Sequence, residues 1–187
     1  MAFIDDKDLE EEIVDEKLVW EGAFLSAYNV GVRLPNGKEA QRDVVRHPGA
    51  VAIVALTDDG RIVLVRQYRT ALERVCLEIP AGKIDKGEDP ERCAVRELEE
   101  ETGVRAHKIR YLTALATSAG FCDEIIHLYM ATDLEFMQAH PDEDEFVRVE
   151  LMELQELINM VLDGQIEDAK TMIGALICDA ISHRLEA

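Results

Sequence analysis

Residues 96–103 read RELEEETG, which sets four carboxylates, Glu97, Glu99, Glu100 and Glu101, within five positions of a chain that is already acidic. Just before them, residues 81–95 read AGKIDKGEDPERCAV. Asp89 followed by Pro90 is a helix start: the Asp carboxylate can accept the first free N–H groups, and proline has no N–H to lose at the first helical position. Gly103 is the matching stop, because glycine takes the left-handed conformation that ends a helix without a Cβ penalty. The spacing therefore predicts a helix over 90–102.

With 100° per residue counted from Glu97, Glu100 falls at about −60° and Glu101 at about +40°, so the three share one face. Ala94, Val95 and Leu98 fall on an adjoining face between about 60° and 160°, where they are expected to pack on a sheet. Glu99 points away, into solvent. Like charges three and four residues apart destabilise a helix by a few tenths of a kcal/mol per pair, and more when partly buried. Arg96 neutralises part of this charge, but one guanidinium cannot balance three carboxylates. Hard divalent cations with oxygen ligands can, and Mg²⁺ retains water that becomes a nucleophile near a phosphate. On the helix alone, a solvated acidic face is the plainer reading.

The rest of the chain narrows the class. At 187 residues it fits one compact domain with a short appendage and is long enough to bury a core. Twenty basic against thirty-nine acidic side chains give a formal charge of −19, which repels phosphate backbones and anionic lipid, so neither nucleic acid nor a membrane is an expected partner. No apolar run approaches the roughly 20 residues of a membrane span, and the start has no basic-then-apolar leader; a cytoplasmic protein is expected. Cys76, Cys93, Cys122 and Cys178 are widely spaced, with no paired-cysteine motif and no histidine at zinc-ligand intervals, and read as reduced core thiols.

Along the chain, residues 5–18 alternate acidic with apolar side chains and read equally as helix, strand or arm. YNVGVRL and AQRDVVRH flank an Asn36-Gly37 turn and predict a hairpin. VAIVAL and RIVLVRQY flank TDDG and predict a second one. AGKIDKGEDP reads as a loop. After the central helix come strand patterns at IRYLTALA, EIIHLYMA and VRVEL, then helices near 153–162 and 168–185. This order implies an α+β mixed sheet covered by helices. A doubly wound parallel fold is disfavoured, and no glycine-rich phosphate loop is present.

Read from Gly82, the chain gives Gly82, five residues, Glu88, seven residues, Arg96-Glu97-Leu98, one residue, Glu100-Glu101, one residue, Gly103-Val104. Every specified position resembles the signature of the Nudix hydrolases. The stretches LPNGKEAQRDVVRHPGAV, LVRQYR, LEIPAGKIDKGEDP, GFCDE, DEDEF and DGQIEDAKT extend the resemblance, to the ADP-ribose pyrophosphatase branch, over most of residues 20–175. The resemblance implies an α/β/α sandwich around a mixed β-sheet at 48–187. It implies an N-terminal antiparallel β region at 1–47 that contributes to dimerisation and substrate binding, hence a homodimer. The implied reaction splits the pyrophosphate of ADP-ribose with water, giving AMP and ribose 5-phosphate.

Site residues follow by the same resemblance. Glu97, Glu100, Glu101 and the backbone carbonyl of Ala81 would hold Mg²⁺, with Mn²⁺ as a substitute. Arg96 would orient the glutamates, and Glu88 would anchor the loop or support the outer metal shell. Arg69 would bind substrate phosphate. Glu78 would accept a hydrogen bond from the adenine or terminal ribose, and Arg42 would reach the partner's site. Phe24 and Trp20 are candidate adenine stackers, with a core role expected for both. A general base is expected in PDEDEF, at Glu145 or Glu143.

One departure is Ala119, where the branch usually has proline sixteen residues beyond the signature's last glycine. It leaves other nucleoside diphosphate sugars, such as GDP-mannose, open as substrates. Two further classes stand beside the hydrolase: a Nudix module that only binds nucleotide or a protein partner, and an α+β domain whose glutamate helix is merely exposed.

Overall fold

The computed structural model of the chain describes residues 6–139 and 146–185. They group into two compact units, one within Met1–Pro48 and Ala116–Glu124, the other within Gly49–Leu115 and Ile125–Ala187.

The first unit is an antiparallel sheet of β1 (Glu12–Glu21), β2 (Ser26–Arg33) and β3 (Glu39–Arg46), in that order. The β2–β3 hairpin closes where Asn36-Gly37 predicts it: Gly37 has φ 80°, and the Lys38 N–H donates to the Asn36 side-chain oxygen at 3.0 Å. The acidic segment read equally as helix, strand or arm becomes strand from Glu12 onward. All ten residues of β1 are exposed, Ile13, Leu18 and Trp20 included. Trp20 (56% exposed), on this uncovered strand, and Phe24 (50% exposed), in the turn after it, are thus not core residues. The Phe24 ring instead meets the His47 ring edge-on at 5.7 Å. Ala119 lies in a turn closed by the Phe121 N–H to the Ser118 carbonyl at 2.9 Å and tied to β3 by the Val45 N–H to the Phe121 carbonyl at 2.7 Å.

The second unit contains β4 (Ala50–Ala55), β5 (Arg61–Arg69), a 3₁₀ turn at Thr70–Leu72, β6 (Arg74–Glu78), β7 (Ala81–Lys83), α1 (Pro90–Thr102), β8 (Val104–Ala116), β9 (Ile125–Phe136), β10 (Arg148–Glu153), α2 (Leu154–Leu162) and α3 (Ala169–Leu185). Strands β7-β4-β9-β8 form a mixed sheet in which β4 runs parallel to β9 and antiparallel to β7. Strands β10-β5-β6 form a second, antiparallel sheet. The hairpin expected of VAIVAL and RIVLVRQY does not form. The TDDG turn is present, with Gly60 N–H to the Thr57 carbonyl at 3.0 Å, but the arms share a single bridge at Leu56–Ile62 and then join different sheets. Every residue of β4 is buried, so this strand needs cover on both faces and strand neighbours on both edges, which a local hairpin cannot supply.

The alternation of β4 sorts the core. Ala50, Ala52 and Val54 join Ile62, Leu64, Leu77, Ile79 and Leu128 under α2 and α3, which contribute Leu157, Ile158, Ala175 and Cys178. Val51, Ile53 and Ala55 join Val63, Val104 and Tyr129 under α1, which contributes Cys93, Ala94 and Leu98. Helices on opposite faces of the strands make the α/β/α sandwich, and each fully buried Leu or Ile in it contributes about 1.5–3 kcal/mol relative to exposure. Val95, expected on the packing face, is only half-buried, and buried Cys93 takes that place, its thiol 3.3 Å from the Lys83 carbonyl of β7.

Candidate active site

Helix α1 begins and ends where its caps put it. The Asp89 carboxylate accepts from the N–H groups of Glu91 (3.1 Å) and Arg92 (3.2 Å), Pro90 follows, and Gly103 closes the helix at φ 66°. A Cβ at Gly103 would also lie 2.7 Å from the Met137 carbonyl oxygen, so glycine is required twice over. Both ends being fixed, the helix can hold its side chains in one orientation.

On that helix Arg96 is shared by three carboxylates. Its Nε and Nη2 bond the two oxygens of Glu88, each at 2.9 Å, and Nη1 bonds Glu97 and Glu100, each at 2.9 Å. Glu88 also accepts the Asp85 N–H at 3.1 Å, which pins the loop ahead of α1 to the helix. The Arg96 hydrogen bonds pull the Glu88 carboxyl down to about 2. Glu101 is buried and accepts the Ala81 N–H at 3.1 Å, so this glutamate and β7 are held together. The Glu97 carboxylate fills the space above Gly82, where an added Cβ would fall 1.9 Å from its Cδ. Glu99 takes no part in this network and is bonded by Arg105 at 2.7 Å on the exposed side.

A second charged cluster lies at the end of β6. Glu78, 2% exposed, accepts Nε of Arg69 at 2.8 Å and Nη2 at 2.7 Å, and the Lys170 ammonium at 2.5 Å. Lys170 also donates to Asp168 at 2.9 Å. Burial pushes the Glu78 carboxyl up, but Arg69 and Lys170 outweigh it and hold the group below the usual carboxylate range. The Glu78 bonds raise the Arg69 guanidinium against its own desolvation, and the fields of Glu101 and Asp168 add to them.

Residues 46–173 match the family model of the NUDIX domain. The chain belongs to the Nudix hydrolase family. It is 47% identical over 167 residues to the ADP-ribose pyrophosphatase of Bacillus subtilis strain 168, an alignment covering 88% of this chain and 90% of that one. To the methanol dehydrogenase activator of Bacillus methanolicus it is 43% identical over 180 residues, covering 94% and 97% of the two chains. To the ADP-ribose pyrophosphatase of Mycobacterium tuberculosis it is 37% identical over 175 residues, covering 91% and 84%.

Nudix hydrolases generally need a divalent metal. Among the described residues of this one, no three His, Cys, Asp or Glu side chains are already gathered as a metal cage. What they offer fits such an ion nonetheless. The donors are hard carboxylate oxygens, they outnumber the one guanidinium among them, and the backbone at Gly82 approaches Glu97 as only glycine allows. The one thiol in the group, Cys93, is buried and turned to the Lys83 carbonyl at 3.3 Å, and burial pushes it up to about 12.

The hydrolase fold thus brings Ala81, Glu88, Arg96, Glu97, Glu100 and Glu101 together around β7 and α1, and Arg69 and Glu78 together at the β5–β6 end. Arg42 lies in the first unit, where Nε and Nη2 bond Glu11 at 3.1 and 2.5 Å. Glu143 and Glu145 lie outside the described residues. Lys170 and Asp168 carry no role in the sequence reading, although the Asp168-Ala-Lys-Thr run ahead of an apolar helix signals a cap. The Thr171 N–H does donate to the Asp168 carboxylate at 3.0 Å.

Proposed function

We propose that this Nudix hydrolase is an Mg²⁺-dependent ADP-ribose pyrophosphatase, cleaving the diphosphate of ADP-ribose with water to AMP and ribose 5-phosphate. The observation that carries the reading is the surplus of carboxylates over cations around Arg96, at the signature's own positions. Two relatives named ADP-ribose pyrophosphatase, aligned over most of the chain, support the substrate.

Glu97, Glu100, Glu101 and the Ala81 carbonyl would hold the ion. When bound, it neutralises diphosphate charge and activates water for attack on phosphorus. The chain's own groups do the rest. Arg96 bridges Glu97 and Glu100 and keeps them aimed, Glu88 ties the preceding loop to Arg96, and buried Glu101 holds the β7 backbone in place. Arg69 meets a substrate phosphate oxygen, and its clamp by Glu78 fixes the direction of approach. A base at Glu145 or Glu143 rests on the resemblance alone.

The protein acts as a cytoplasmic homodimer in this reading. The wholly exposed β1, with Ile13, Val14, Leu18, Val19 and Trp20 open on it, supports a partner copy over residues 1–47, and Arg42 would serve that copy's substrate. No helix is long and apolar enough to cross a membrane among the described residues. The relative named methanol dehydrogenase activator favours a second reading, a Nudix module that acts by binding another protein.

A panel of ADP-ribose, GDP-mannose and ATP, with Mg²⁺ and with chelator, separates these readings. Metal-dependent release of AMP and ribose 5-phosphate from ADP-ribose is the expected result. Turnover of GDP-mannose alone would move the substrate, and binding of ADP-ribose without turnover would leave the binding module.

A further inference from the structure

Lys170 occupies a place where sequence and packing alone would set an apolar residue. It is 8% exposed, in the first turn of α3, and burying an ammonium costs several kcal/mol unless it is paired. Its Nζ lies 2.5 Å from Glu78 Oε2 and 2.9 Å from Asp168 Oδ1. Asp168 uses its other oxygen to accept both the N–H (3.0 Å) and the hydroxyl (2.5 Å) of Thr171. That hydroxyl in turn accepts the Ile79 N–H at 2.9 Å. One turn of α3 therefore grips both the side chain of Glu78 and the backbone of the next residue, just ahead of Pro80 and Ala81.

The charge arithmetic gives this grip a purpose. A guanidinium held bidentately by one buried carboxylate forms a closed neutral pair with little field left for a third group. Here the carboxylate is shared by two cations, so Arg69, Lys170 and Glu78 sum to a single positive charge. The compensating Asp168 sits further out, with a side chain 22% exposed. Glu78 holds Nε and Nη2 of Arg69, which leaves Nη1 for a ligand.

We propose that Lys170 is a positioning residue for substrate binding, acting through Glu78, whose negative charge it shares with Arg69, to keep Arg69 aimed at a diphosphate oxygen. The proposal rests on the reading of Arg69 as the phosphate-binding arginine. The structural alternative is that Lys170 merely plugs the end of β6.

A double-mutant cycle on the full-length, metal-loaded protein separates the two. Steady-state ADP-ribose hydrolysis is measured for the parent, Lys170→Met, Arg69→Ala and the double variant. Lys170→Met raises KM roughly tenfold, the size of one charge-assisted hydrogen bond, with kcat little changed. In the Arg69→Ala background the same substitution changes KM less than about twofold, since there is nothing left to position. Losses that multiply in the double variant overturn the proposal. An unchanged KM in Arg69→Ala alone overturns the reading of Arg69 and the proposal with it. If Lys170→Met gives no cooperative melt, Lys170→Gln, which keeps a donor without the charge, goes through the same cycle with the same two outcomes.

Discussion

Arg96 and Glu78 sit at the centres of two charged clusters built on opposite accounts of charge. Around Arg96 one cation serves three carboxylates, with Glu100 nearly half exposed. Around Glu78 one carboxylate serves two cations, and the set of Arg69, Lys170, Glu78 and Asp168 sums to zero. The balanced cluster is the deeper one, as the cost of burying charge requires. The unbalanced cluster is tolerable because water reaches it and because a cation can join it. The balanced network fixes the chain and aims Arg69, whose Nη1 it leaves open, and the unbalanced one is ready to receive a cation.

The largest expected effect comes from breaking the closed network. Glu78→Gln leaves the Arg69 and Lys170 cations facing each other, and should destabilise the protein by about 3 kcal/mol, the low end for a broken buried pair because Arg69 still reaches water. Urea unfolding measures it. The contrast fails if Glu78→Gln costs no more than Glu100→Gln. For Glu100→Gln the expected loss is in activity, about 10²- to 10³-fold in ADP-ribose turnover, as for loss of one electrostatic stabiliser. In chelator its melting temperature should not fall, since one of three crowded charges is gone. Mg²⁺ should stabilise the parent and do so much less for the variant.

How far such a contrast is legible in the sequence depends on how local its causes are. Helix α1 was legible to the residue, because Asp89, Pro90 and Gly103 act on their own neighbours. The acidic face followed from the helical period, and the β2–β3 turn from Asn36-Gly37. The parting of β4 and β5 was not legible: a turn of the right chemistry sits between them, and only the layers above and below decide that the strands diverge. Cys93 in place of Val95 on the packed face reflects β7, an element read as loop. The Glu78–Lys170 pair joins residues 92 positions apart, and no pattern along the chain marks such a partner. The exposed β1 was undecidable for a related reason, since acidic and apolar residues mix on both of its faces.

Acid should sharpen the comparison more gently. The folded Glu88 carboxyl lies at about 2, below the 4.5 of an unperturbed glutamate, chiefly through Arg96. A depressed carboxyl stabilises the fold fully above its unfolded value, and that contribution is lost as pH falls through the folded one. In chelator, the parent should therefore melt above Glu88→Gln at neutral pH. The gap should close between about 4.5 and about 2, the window set by those two values. A gap that persists at pH 2 would mean that Glu88 acts through packing rather than charge.

The smallest effect is expected far from both charge centres in kind, at a residue with no charge at all. Ala119 is the second residue of the turn closed by Ser118 and Phe121, the position where proline's fixed φ suits a β-turn. No hydrogen bond is donated by its N–H among the described residues, so proline would sacrifice none. Ala119→Pro should stabilise the protein by about 0.4–1 kcal/mol by narrowing the unfolded ensemble, read as a small rise in melting temperature. Because neither cluster changes, the Mg²⁺ dependence of turnover should not move. If the ratio of ADP-ribose to GDP-mannose turnover shifts while metal dependence stays fixed, selectivity resides in this loop, separately from the charged groups that bind metal and phosphate. An unchanged ratio would tie selectivity to other residues and leave the turn a purely conformational element.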